Sequence, residues 1–277
     1  MRIALGQINT TVGDLSGNAA RMLDFARRAA GLKADIIVFP ELSLTGYPPR
    51  DLLEKQSFLE RTECALQRLA TDTAQLGLTL ICGTVSPVKE AEGNRLHNSA
   101  AVLCDGKIVF RQHKMLLPTY DVFDEARYFR ASDREEPIDL DGHKTALTIC
   151  EDAWNDKQYW ERRLYSRDPV EEMAQAGAEI LLSINASPYH MGKRALRREI
   201  FATTARRFGI PLVYVNQVGG NDQLVFDGSS FAMNAAGEVV ASAKSFEEDL
   251  VFFDSGEMRG DQRENLANEL EAAYEAL

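Results

Sequence analysis

The chain has 277 residues, 45% of them hydrophobic and 26% charged, which is enough for a sizeable core in one large α/β domain. Acidic residues outnumber basic ones by 42 to 31, and the net charge of -11 argues against a nucleic-acid binder and against an anionic membrane surface as partner. No stretch approaches the roughly 18 apolar residues of a membrane span.

Met1 to Gln7 enters a strand pattern at once, with no basic segment followed by a long apolar run, so no signal peptide is expected. Ile3 to Ile8 reads as a strand, Asn18 to Ala30 as a helix, Asp35 to Phe39 as a fully buried strand and Phe58 to Leu76 as a long helix. Hairpins follow. Asp105-Gly106 separates Ser99–Leu103 from Ile108–Phe110, and Asp141-Gly142 separates Ile138–Leu140 from Thr145–Ile149. The second half returns to strand and helix: strands at Glu179 to Ile184 and Pro211 to Asn216 flank a helix from Lys193 to Phe208. A late hairpin turns at Ala236-Gly237 before a strand at Leu250 to Phe253. Buried strands combined with hairpins imply mixed sheets covered by helices. From Arg259 to Leu277 the chain reads as one more helix, with Leu266, Leu270, Ala273, Tyr274 and Leu277 on one face and no C-cap signal. A fragment of something longer is expected, and a frayed terminal helix is the alternative.

The chemistry-bearing residues sit at strand ends. Glu41 directly follows Ile36–Pro40, where an α/β sheet presents catalytic groups, and a half-desolvated acid there could act as a general base or simply cap the next turn. Lys114 follows the strand Lys107 to Phe110; beside a thiol it would favour thiolate and hold an oxyanion, and otherwise it is a solvated surface lysine. Cys150 closes the run Ala146–Ile149, so its thiol could be exposed on a rim and deprotonated, or be an inert buried hydrophobe. Of the four cysteines, Cys82 and Cys104 lie in apolar strands and Cys64 on a helix, with no metal or redox spacing, so free thiols in a cytoplasmic setting are expected. His113 and His190 leave a Cys–His dyad open, whereas no His/Cys spacing fits a metal.

Phe39-Pro40-Glu41, His113-Lys114 and Cys150-Glu151-Asp152, in that order and each at a strand end, resemble the nitrilase superfamily of carbon–nitrogen hydrolases over residues 1 to about 255. Gly46–Leu52, Tyr120–Phe129, Asn185–Tyr189 with Gly192-Lys193, and Val215–Ser230 are similar to the glutamine amidohydrolase domain of glutamine-dependent NAD synthetases. The resemblance implies a four-layer α-β-β-α sandwich with two mixed sheets, and glutaminase chemistry through a Cys150 thioester. Glu41 would be the base, Lys114 and the backbone N–H of Glu151 would hold the oxyanion, and Glu125 would support Lys114 or the amide. Tyr120, Ser187 and Lys193 would contact glutamine. No phosphate loop of a synthetase domain is present, so residues 1–255 would form the glutaminase domain and 256–277 a helix leading toward an absent synthetase domain. ATP and Mg are implied only for that domain, and no cofactor or metal for this chain. The family commonly assembles through this domain, so a homo-oligomer is expected, with no nucleic-acid or membrane partner. The alternatives are a free-standing amidase for another small amide, or a catalytically silent assembly domain.

Overall fold

Side-chain alternation along the strands sets the architecture. A computed structural model describes residues 1–88, 95–120, 123–134, 136–156, 159–160, 165–263 and 268–277. The strands are β1 (Arg2–Gln7), β2 (Ile36–Val38), β3 (Thr79–Pro87), β4 (Leu96–Cys104), β5 (Lys107–His113), β6 (Ile138–Leu140), β7 (His143–Ile149), β8 (Ile180–Asn185), β9 (Leu212–Asn216), β10 (Val218–Asn221), β11 (Leu224–Asp227), β12 (Phe231–Met233), β13 (Val239–Ser242), β14 (Asp249–Asp254) and β15 (Arg259–Gly260). The helices are α1 (Leu15–Gly31), α2 (Gln56–Thr73), α3 (Glu125–Tyr128), α4 (Pro169–Gln175), α5 (Lys193–Phe208) and α6 (Glu269–Glu275).

A seven-stranded sheet runs β15-β14-β1-β2-β3-β4-β5 and a six-stranded sheet runs β13-β12-β9-β8-β7-β6. In each, three central parallel strands (β1, β2, β3 and β7, β8, β9) carry antiparallel flanks, so both sheets are mixed. Ile3, Leu5, Ile36, Val38 and Ile81 of the first sheet meet Leu147, Ile149, Leu182, Ile184, Val213 and Val215 of the second in a core between the sheets. The alternate residues Ala4, Ile37, Leu80 and Ala101 face outward against Met22, Phe25, Leu66 and Leu69 of α1 and α2. On the other side Ala146, Leu181, Leu212 and Tyr214 pack against Met173, Phe201 and Ala205 of α4 and α5. Period-2 strands buried on both faces thus yield three cores and four layers, α-β-β-α.

Local chemistry explains most boundaries. α1 begins at Leu15, ahead of the expected Asn18, because Asp14 caps it by accepting from Gly17 N at 2.9 Å. Asn18 is instead a buried tie, its amide bonding Thr11 O and Leu44 O. Both expected Asp-Gly hairpins form, with positive φ at Asp105 and Gly106 and again at Asp141 and Gly142, the two-residue turn that matches strand twist. The tail departs from expectation. Arg259–Gly260 pairs with β14 as a strand, residues 264–267 with Leu266 lie outside the described residues, and the helix covers only Glu269–Glu275. Asn268 caps that helix, and its buried residue is Ala272 while Leu270 and Tyr274 are exposed. Among the described residues no helix is long and apolar enough to cross a membrane.

Candidate active site

The parallel strands of both sheets end on one side of the molecule, and their last residues and following loops meet there. β2 leads into Glu41, β7 into Cys150, β8 into Ala186 and Ser187, and β9 ends in Asn216. β5 runs in the same direction as β3 and leads into Lys114, with Asn98 opposite it near the start of β4.

Glu41 is fully buried, more so than a rim acid, and every side-chain oxygen has a donor. Its Oε1 accepts from Lys114 Nζ and Asn98 Nδ2, both at 2.7 Å, and its Oε2 accepts from Ala186 N at 3.0 Å. The carboxylate therefore stitches the two sheets together. Its loop is seated by Gly83 on β3, where an added Cβ would lie 1.9 Å from Leu42 N and 2.5 Å from the Glu41 carbonyl carbon. Gly83 N donates to Pro40 O at 3.1 Å, and Leu42 takes a left-handed backbone, φ +47°.

Lys114 is 1% exposed, which removes the surface-lysine alternative. Its ammonium also bonds Glu125 at 2.9 Å, and Glu125 Oε1 accepts from Tyr47 Oη at 2.9 Å. Burial alone would lower the lysine, but Glu125 and Glu41 outweigh it and hold the ammonium well above its ordinary range. Glu125 is raised to about 7 by burial and by Glu41, against the pull of Lys114 and Tyr47.

Cys150 begins the 3-10 turn Cys150–Ala153 with a left-handed φ of +45°. Of the two readings left open by the sequence, an exposed, deprotonated rim group or a buried thiol, the structure supports the buried one: the thiol is 8% exposed, and burial followed by Glu41 pushes it well above the ordinary thiol range. A strand end is exposed only when nothing folds over it, and here Glu41, Glu151 and Glu125 all press on the same sulfur, with Lys114 the main cation opposing them and Lys193 and Arg197 adding to it. At rest Cys150 is therefore a thiol, and it would need a base to act as a nucleophile. No histidine is among the main groups acting on it. His113 instead lies 2.7 Å from Ser99 Oγ and stacks on His97, while His190 bonds Met191 O, so the dyad alternative falls.

Around the sulfur the charges are arranged in opposition. The Glu151 carboxylate accepts from Tyr120 Oη at 2.9 Å and from Tyr165, and burial raises it against the pull of Lys114 and these hydroxyls. Lys193, the first residue of α5, is lowered by burial and by Arg197 and sits over the Trp154 ring at 5.5 Å; Cys150 and Glu151 both act on it. Ser187 is buried, with its N–H on Asn216 Oδ1 at 2.9 Å and its carbonyl accepting from Arg197 Nη2 at 2.8 Å. Arg197 in turn pairs with Asp227 at 2.7 Å, both groups fully buried. All eight residues singled out from sequence, Glu41, Lys114, Tyr120, Glu125, Cys150, Glu151, Ser187 and Lys193, thus fall at this one end of the molecule. Asn98, Tyr47, Gly83 and the Arg197–Asp227 pair were missed. Tyr47 and Asp227 lie inside segments that the resemblance quoted, but nothing in their local pattern marks them.

The family model for carbon-nitrogen hydrolases matches residues 2–255. The chain belongs to the carbon–nitrogen hydrolase family. It is 42% identical over 271 residues to the glutamine-dependent NAD(+) synthetase of a Synechocystis species, covering 95% of this chain and 48% of that protein. The structure of glutamine-dependent NAD+ synthetase from Acinetobacter baumannii with ADP superposes with a TM-score of 0.85 at 33% identity, over 99% of this chain and 50% of that one. The chain thus spans about half the length of the curated relatives it matches. A mutant amidase from Nesterenkonia sp. AN1, with the acetamide moiety of fluoroacetamide added covalently at its active-site cysteine, gives a TM-score of 0.77 at 25% identity, covering 91% and 89% of the two chains.

Proposed function

We propose that this carbon–nitrogen hydrolase releases ammonia from the side-chain amide of glutamine through a thioester on Cys150, and supplies it to an NAD synthetase domain beyond the sequence described. The observation that carries this is the buried Glu41–Lys114–Glu125 cluster beside a protonated Cys150, with an acid and a lysine nearby. Glu151 and Lys193 bring opposite charges close enough to act on the sulfur, which suits a zwitterionic amino acid better than a plain aliphatic amide. Relatives named glutamine-dependent NAD(+) synthetase support the same substrate, and the amidase neighbour supports covalent chemistry at a cysteine.

Glu41 removes the thiol proton as sulfur attacks the carboxamide carbon. The oxyanion is held by Lys114 and by the backbone N–H of Glu151. The C–N bond then breaks, with Glu41 returning its proton to departing ammonia. Water, deprotonated by Glu41, cleaves the γ-glutamyl thioester to glutamate and restores the thiol. Glu125 keeps Lys114 aimed at the site, and Tyr120, Ser187 and Lys193 hold the amino acid. Residues 1–255 form the body of the glutaminase domain, to whose sheet β15 (Arg259–Gly260) adds an edge strand, and ATP and Mg belong to the synthetase domain. The setting is cytoplasmic, and the working form is a homo-oligomer.

The test is intact-mass measurement after brief exposure to diazo-oxo-norleucine, with peptide mapping. One adduct on Cys150, blocked by excess glutamine, is expected. A folded protein that gives no adduct, and that releases ammonia no faster from glutamine than from simple amides, overturns the proposal.

A further inference from the structure

Asp152 is fully buried in the turn that carries Cys150, and it spends both oxygens on backbone amides. Oδ2 reaches back to Ile149 N at 3.2 Å, which closes the 3-10 turn in the ordinary way. Oδ1 does something the turn does not require. It accepts from Met115 N at 3.0 Å and Leu116 N at 2.7 Å, the two amides that directly follow Lys114. Lys114 itself is pinned on its other side, its N–H on Asn98 O at 2.9 Å and its carbonyl accepting from Ser132 N at 2.9 Å. One carboxylate therefore bridges the segment that presents the lysine and the turn that presents the sulfur, which lie 36 and 37 residues apart in sequence. Cys150 also holds a left-handed φ of +45°, a conformation that persists only when its surroundings over-determine it.

We propose that Asp152 is a positioning residue that fixes Lys114 relative to the Cys150 sulfur by bridging their two backbone segments. It touches neither substrate nor sulfur and acts through the lysine. This rests on Cys150 being the nucleophile. An asparagine has the same shape but one acceptor oxygen: if it serves Met115 and Leu116, its NH2 opposes the Ile149 N–H, and if it serves Ile149 the lysine segment is released.

The experiment measures alkylation of Cys150 by iodoacetamide, with peptide mapping, in the wild type, Asp152→Asn, Lys114→Met and the double variant. Asp152→Asn is expected to slow Cys150 alkylation about 10²-fold through misplacement, with the exposed Cys64 labelled at its usual rate. In the Lys114→Met background the same substitution is expected to add little, because the group being positioned is gone. A wild-type rate in Asp152→Asn with only a lower melting temperature, or two effects that simply multiply, would overturn the proposal. Asp152→Glu keeps both oxygens and serves if Asp152→Asn does not fold; if neither variant folds, Asp152 is a fold determinant and the proposal fails. A wild-type Cys150 no more reactive than Cys64 removes the nucleophile and this inference with it, whereas selective wild-type labelling that Asp152→Asn leaves unchanged removes the positioning alone.

Discussion

Replacing Glu41 by glutamine changes one atom type in a fully saturated hydrogen-bond site, so its consequences can be worked out in advance. Oε1 receives two donors, from Lys114 and Asn98, and Oε2 receives one, from Ala186 N. A glutamine oxygen can stand at only one of these places. With its oxygen toward Lys114, the new NH2 faces the Ala186 N–H and leaves that buried amide unpaired, at a cost of about 1–3 kcal/mol. The flipped arrangement sets an NH2 against two donors and is worse. In a domain of this size each kcal/mol lowers the melting temperature by roughly 2–4 °C, so the variant should still fold. Catalysis suffers more. Because the resting Cys150 is a thiol, losing the base should cost about 10²–10⁴-fold in acylation, or about 3–5 kcal/mol of barrier at 1.36 kcal/mol for each factor of ten. Glutamine binding should change little, since neither Glu151 nor Lys193 is disturbed. The assay is single-turnover ammonia release by Glu41→Gln beside a separate glutamine-binding titration. A wild-type acylation rate would show that the base lies elsewhere, and loss of binding in parallel with rate would show that Glu41 holds the site's shape instead.

Lys114→Ala should lower the rate of ammonia release more than about 10²-fold and leave Glu41 and Glu125 facing each other without a cation, a loss of about 3–5 kcal/mol in denaturant unfolding near pH 8. The loss should shrink toward pH 5, because a carboxyl already raised to about 7 takes up a proton there and the repulsion ends; an equal loss at both pH values would refute the charge argument. Tyr47→Phe removes a donor that favours ionised Glu125, so the acid limb of kcat/KM, expected near pH 7, should move up by about one unit; an unmoved limb would show that Glu125 does not control activity. Gly83→Ala drives a Cβ into the backbone at Leu42, and should cost about 1–3 kcal/mol or more in thermal unfolding and most of the ammonia release, whereas full activity would show that the Glu41 loop can yield.

How much of this was legible in the sequence depends on the range of the forces involved. The Asp-Gly turns at Asp105 and Asp141 were readable because a positive φ at consecutive residues is a local property. Glu41, Lys114 and Cys150 were readable because strands running in one direction must deliver their ends to one edge. Partners that depend on closure of the two sheets were not. Asn98 looks like any polar strand residue, and only the pairing of β4 with β5 sets it opposite Lys114 and within 2.7 Å of Glu41. The same reasoning explains why the state of the thiol was left open. Position at a strand end says where Cys150 is, but its burial comes from side chains that arrive from other strands, and these decide between thiolate and thiol. The tail failed for a different reason: Leu270, Tyr274 and Leu277 share a helical period, yet α6 turns Ala272 inward and is held through Glu269, whose carboxylate accepts from Gly192 N and pairs with Arg194. A period identifies which residues can share a face, while polar anchors decide which face is covered. For the site this has a direct consequence. Under the proposed mechanism thiol activation comes from Glu41 and Lys114 and not from solvent exposure, so the reactivity of Cys150 should track the integrity of that pair and not the accessibility of the sulfur.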